Sequence, residues 1–220
     1  MGSVEDKGKR QRLSRERVLD AAIAIARAES ISGVSMPSVS RSLGTTPMSL
    51  YRHVGSKEQL LLGMLARATA MIEAPVPQND PVEEVMSVFL AVRAMLRTDP
   101  WTVQYFLRGY RGSKPVRALT SRSLVALEDL GLAKGDAWHA HQALLRYTYG
   151  EVLATGETAT PDGLNFEASD EAPTTDDETI HQFSEAANPA SPDETYRETL
   201  RRYLHSVVSE VQVDGGAYKE

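Results

Sequence analysis

Apolar residues in this chain return every three or four positions, and no segment alternates apolar and polar residues between hairpin turns. That period belongs to the helix, so the expected fold is all-α, with about nine helices and no sheet. In "RERVLDAAIAIARAE", from Arg15, one face holds Val18, Ala22, Ile25 and Ala26. Ser35, with Pro37 in the first turn, opens a short helix that carries Met36, Val39 and Leu43 inward and stops at Gly44. Thr45 or Thr46 caps the next short helix, with Pro47 just inside and an end near Val54-Gly55. "SKEQ" then reads as a capping box, Ser56 with Gln59, opening a long helix to about Glu73.

"APVPQND" breaks the helical pattern. Asp80-Pro81 with Glu83 starts a helix to about Thr98, and Pro100-Trp101 opens a shorter one through Leu107. After the turn-rich "RGYRGSKP", a helix from about Val116 to Leu130 ends at Gly131. Asp136 is read as the cap of "AWHAHQALLRYTYGEVLA". Residues 155–190 are acidic, with many Asp and Glu, Pro and Gly, and read as a mobile loop with one helical turn around Ile180–Phe183. Ser191-Pro192 with Glu194 is a further capping box, and the helix it launches shares Tyr196, Leu200, Tyr203, Leu204, Val207 and Val211 on one face. The expected organisation is a basic arm over 1–14, a helix-turn-helix domain over 15–60 and a larger helical body over 61–220.

Charge divides the chain unevenly. The whole sequence has 24 Lys and Arg against 30 Asp and Glu, a net −6, which argues against a polyanionic partner. Residues 1–67 alone hold 11 against 6, a net +5, which leaves 13 against 24, a net −11, for the rest. A basic module that faces a polyanion, joined to an acidic body, fits this split; a charged tail plus chance composition is the plainer account. With 0 Cys there is no disulfide framework, thiolate nucleophile or cysteine-bound zinc. No apolar run is long enough for a membrane span, and "MGSVEDKGKRQR" has no signal-peptide core, so a soluble cytoplasmic protein is expected. Carboxylates cluster in a loop with no apolar setting to tune them, and no nucleophile–base pair or phosphate-cradling loop stands out, so no enzyme is expected. His139 and His141 project about 200° apart on a helix, so neither a shared metal nor any cofactor is expected.

Two short helices joined at Gly44 form a helix-turn-helix, whose second member is slim enough for a DNA major groove. Thr45, Thr46 and Ser49 offer hydroxyls to bases or phosphates, while Met48 and the Pro47 ring offer apolar contact to a thymine methyl. Tyr51, Arg52, His53 and Lys57 lie where phosphates would run, beside the positive end of the "SKEQ" helix. Leu50 and Val54 face inward. Helix–glycine–helix pairs with a few hydroxyls are also common in all-α cores, and a single histidine or lysine there is equally at home on a solvated surface.

The stretch "RERVLDAAIAIARAESISGVSMPSVSRSLGTTPMSLYRHVGSKEQLLLGML" resembles the DNA-binding domain of the tetracycline-repressor (TetR) family. The specific elements are "LDAA", the "S-M-x-x-V-x-x-x-L-G" spacing and "SLYRHVGSKEQLL". "ALEDLGL", "RYTYGEVLA" and "EAPTTDDET" are similar to the body of the tetracycline-repressor subgroup. The resemblance implies a homodimer on a palindromic double-stranded operator, with transcription repressed until a small-molecule effector binds the body. It implies that Tyr51 and Lys57 bind phosphate, that Thr45, Thr46, Pro47, Met48 and Ser49 sit toward bases, and that Ser35, Pro37 and Arg41 neighbour the DNA backbone. Tetracycline-binding members carry a metal-coordinating histidine before the turn that resembles Gly109-Tyr110-Arg111; here Phe106-Leu107-Arg108 stand there, so a magnesium-chelated drug is not expected.

An effector cavity in such a body would be apolar with a few converging polar groups, and the candidates are Trp101, Tyr105, Phe106, Trp138, His141, Tyr147 and Tyr149. The competing account of each is ordinary core packing. The helices after Asp136 and after Pro192 have broad apolar stripes that suit a four-helix dimer interface, burial within one copy being the alternative. An activator or architectural protein with no effector would share all these features.

Overall fold

The computed structural model describes residues 12–155 and 191–217. The expected acidic loop with its turn at Ile180–Phe183, and the arm up to residue 11, lie outside the described residues. Nine α-helices are present among the described residues: α1 Arg15–Glu29, α2 Met36–Ser42, α3 Pro47–Val54, α4 Lys57–Ala70, α5 Pro81–Thr98, α6 Val103–Leu107, α7 Lys114–Asp129, α8 Lys134–Thr155 and α9 Pro192–Ala217. Short 3₁₀ turns occupy Ile31–Gly33 and Pro100–Thr102, and no described residue is in a strand. The fold is all-α.

Caps place most helix starts. Ser14, Ser35, Thr46 and Ser56 each accept from the backbone N–H three residues on, and Asp80 takes both Val82 and Glu83 N–H groups. Of the two candidate threonines it is therefore Thr46 that caps α3. Only half of the expected box at Ser56 forms: its hydroxyl caps Gln59, while its own N–H donates to the Val54 carbonyl at 2.9 Å. A full box forms instead between Ser35 and Ser38, at 2.9 and 3.1 Å, and another between Ser191 and Glu194. Asp136 is not a cap, because α8 starts two residues earlier at Lys134 and puts Asp136 in its first turn, where the helix dipole favours it.

The helices group into two compact units: the described residues up to Met71 with Trp101–Lys114, and those of Ile72–Pro100 with the remainder. In the first unit, Val18, Ala22, Val39, Leu50, Leu60 and Met64 interlock in one core, which Trp101 also joins. Asp20 of α1 pairs with Arg67 of α4, the Nη2–Oδ2 contact at 2.8 Å. In the second unit, Val85, Phe89, Leu127, Leu144, Tyr196 and Leu200 form the core, so α5, α7, α8 and α9 meet through it.

That second core contains buried charge. Arg93, 5% exposed, donates to both Glu151 oxygens at 2.6 and 2.8 Å and to Asp193 at 2.7 Å. Its guanidinium lies 4.7 Å from the centroid of the Tyr196 ring. Hydrogen bonding to Glu151 raises the Arg93 pKa against the cost of burial. The Tyr196 hydroxyl reaches Thr148 Oγ1 at 2.7 Å, and burial pushes its pKa upward.

Candidate nucleic-acid interface

The turn between α2 and α3 is built by backbone bonds that require glycine. Gly44, at φ +61°, sends its N–H to Arg41 O, and Thr45 N–H reaches Ser40 O at 2.9 Å. This closes α2 in a Schellman motif and lets α3 begin two residues later. Leu50 and Val54, four apart, anchor α3 in the core, so the opposite stripe must face outward.

On that outward stripe Met48 is 67% exposed and Tyr51 46% exposed, with Thr46, Pro47 and Arg52 also exposed. Thr45, Ser49 and His53 are half-buried. Thr46 Oγ1 is partly committed inside the helix, accepting from Ser49 N–H and lying 3.1 Å from Ser49 Oγ. Lys57 is exposed at the first turn of α4, where the dipole end is positive. Arg41 and Pro37 are exposed on α2, whereas Ser35 is half-buried and spends its hydroxyl on the cap. Arg41, Arg52 and Lys57 make no ion pair among the described residues, so their charges remain available to an anion.

The seven effector candidates do not form one group. Trp101 and Tyr105 pack edge to face at 6.2 Å in the first unit, where Phe106 likewise meets Tyr110 at 5.5 Å. Trp138, His141, Tyr147 and Tyr149 lie on α8 in the second unit. Trp138 is 49% exposed and stacks on His141, and Tyr147 stacks on Tyr196 at 5.5 Å. Burial pushes the Tyr149 hydroxyl up to about 12 and the His141 imidazole down to about 4. An open groove of about 520 Å³ lies elsewhere in this unit, between Pro77–Asn79, the start of α5 and α7, and none of the seven lines it.

Polar partners inside the second unit had no sequence signal. Ser123 on α7 lies 2.7 Å from His141 Nδ1. Arg122 joins buried Glu84 at 2.6 Å and the Pro75 carbonyl at 2.9 Å, while Glu84 also accepts from Gln78 N–H; hydrogen bonding from Arg122 holds the Glu84 carboxyl below its ordinary pKa. Among the described residues no three His, Asp or Glu gather at metal-binding distance, and no helix is long and apolar enough to cross a membrane.

The chain is similar to known proteins in sequence and in fold. Residues 18–64 match the family described as bacterial regulatory proteins, tetR family, and residues 75–184 match the tetracyclin repressor-like C-terminal domain. The HTH-type transcriptional repressor DrrR1 of Streptomyces coeruleorubidus is 37% identical over 105 residues, which cover 47% of this chain and 39% of DrrR1. The HTH-type transcriptional repressor KstR of Rhodococcus jostii is 27% identical over 103 residues, 46% of this chain and 49% of KstR. The chain thus spans less than half the length of either relative. In fold it is similar to apo ActR of Streptomyces coelicolor, at 18% identity and a TM-score of 0.69, covering 92% of this chain and 98% of that one. Mycobacterium smegmatis supplies another such likeness, BioQ, at 16% identity and a TM-score of 0.64 over 90% of this chain and 99% of BioQ. The chain belongs to the TetR family of bacterial regulatory proteins.

Proposed function

We propose that this protein is a homodimeric transcriptional repressor that binds a palindromic operator through α3 and releases it when a small molecule enters the second unit. The outward stripe of α3 carries the proposal, since Met48, Tyr51 and Arg52 stand exposed on a short helix pinned from behind by Leu50 and Val54. In this reading Thr45, Thr46, Pro47, Met48 and Ser49 meet base edges. Tyr51, Arg52, His53 and Lys57 meet phosphates, with Ser35, Pro37 and Arg41 close to the DNA backbone. Two copies place their α3 helices in successive major grooves, so half-sites fall about one helical turn apart. Relatives named as repressors support this, as do a structure of ActR with actinorhodin and one of BioQ with its operator. These regulators act by binding rather than by catalysis.

The test is a footprint on the DNA upstream of the protein's own gene. Protection of two symmetric half-sites about a helical turn apart is expected. An unprotected or asymmetric single-site pattern would refute the dimeric repressor.

A further inference from the structure

His141 on α8 is 2% exposed, with Phe89 of α5 at 5.4 Å and Trp138 of its own helix at 6.3 Å between ring centroids. Nδ1 lies 2.7 Å from Ser123 Oγ on α7, but Nε2 is buried and has no hydrogen-bond partner among the described residues. The partners of Ser123 favour one tautomer of the ring. Its hydroxyl has one hydrogen, and Oγ also lies 3.2 Å from the Thr120 carbonyl, an atom that only accepts. With that hydrogen on the carbonyl, Oγ accepts from Nδ1–H, both contacts are satisfied, and Nε2 is left as a bare lone pair. Burial keeps the ring neutral near neutral pH. A buried lone pair is unfavourable until a donor meets it.

We propose that His141 Nε2 is the polar anchor for a neutral, largely aromatic effector that presents one hydroxyl or N–H donor and seats against Phe89 and Trp138. This rests on the second unit being the effector-binding body. A carboxylate or phosphate is disfavoured, because it brings acceptors to an acceptor. An ammonium would donate, but it would carry a full charge into buried surroundings. Of Phe89, Trp138 and His141 only Trp138 is exposed to solvent, so the effector approaches the imidazole from the side of Trp138.

The experiment uses the full chain labelled with ¹⁵N-histidine and three probes: 1-naphthol, 1-methoxynaphthalene and 1-naphthoate. Long-range ¹H–¹⁵N spectra are expected to show Nδ1 protonated and Nε2 bare in the free protein, with Nε2 shifting on addition of 1-naphthol alone. Calorimetry is expected to give 1-naphthol about tenfold tighter binding than its methyl ether or the acid. In His141→Phe, which keeps a flat ring but no acceptor, that preference disappears. A protonated or already hydrogen-bonded Nε2 in the free protein, equal binding of alcohol and ether, no binding of 1-naphthol, or a preference that survives in His141→Phe would each overturn the anchor. The spectra of the unaltered protein decide the matter if the variant does not fold. Operator binding is measured on the same preparation: its absence counts against the repressor, whereas a chain that binds DNA without discriminating the probes sinks only the anchor.

Discussion

Between α3 and α4 the chain turns on Gly55, at φ +74° and ψ −64°. Ser56 N–H closes the turn onto Val54 O at 2.9 Å, a γ-turn in the sense that L side chains avoid. A Cβ there would meet only the movable end of Gln59, so backbone strain sets the cost of a substitution. Gly55→Ala should lower unfolding stability by about 1–3 kcal/mol in urea titration; an alanine variant as stable as the parent would show that the turn relaxes freely. His141 leads to a pH prediction. Its folded pKa of about 4 lies below the ordinary histidine value of 6.5, so the unfolded chain binds a proton more readily. The stability this contributes is complete above the unfolded pKa and is lost as pH falls from there toward the folded value, by about 3 kcal/mol in all. Glu84 and Asp193, both with depressed carboxyl pKa values, add their losses only below the ordinary carboxylate range. The window from pH 6.5 to about 4.5 therefore belongs mainly to His141, and His141→Phe should flatten it in denaturation curves. An unchanged slope in that variant would assign the effect elsewhere. The sequence showed this histidine on a helix, but its burial and its tautomer depend on Phe89 and Ser123.

At the scale of elements, α3 separates two kinds of contact. Met48 is exposed and takes no part in capping, so Met48→Ala should leave the fold intact and change which bases are preferred in competitive binding. Tyr51→Ala should weaken all sites alike. If both variants only lowered general affinity, base reading would not lie at Met48. Thr46→Ala is a poorer probe, because losing the cap costs α3 about 1 kcal/mol as well. In the second unit α5, α8 and α9 are tied by Arg93, Glu151 and Asp193. Arg93→Ala leaves the half-buried Glu151 carboxylate without this partner, and the expected loss is about 3 kcal/mol. Arg93→Met combined with Glu151→Leu should recover most of it, since neither charge is then left buried. A double variant as unstable as the single one would mean that the network does more than neutralise itself. The start of α9 was legible in "SPDE", but nothing local announced that Asp193, within it, would reach Arg93.

For the whole molecule the net charge of −6 repels DNA, so any affinity must come from the local surplus of cations in the first 67 residues. Affinity should therefore fall steeply with salt, and Lys57→Ala should reduce the slope of log affinity against log salt by about 1. Salt-insensitive binding would contradict a phosphate-borne interface. The helical period, the caps at Ser35, Ser56 and Asp80, and the turn at Gly44 act over a few neighbouring positions, so the chain's order alone determined an all-α fold and the outward stripe of α3. The tertiary structure alone decided which polar residues are buried together, and that Trp101 joins the core of the first unit rather than that of the second. Ser123 meets His141 across 18 positions and Arg93 meets Asp193 across 100. Contacts at such separations are fixed by the packing of whole helices, which no local period encodes.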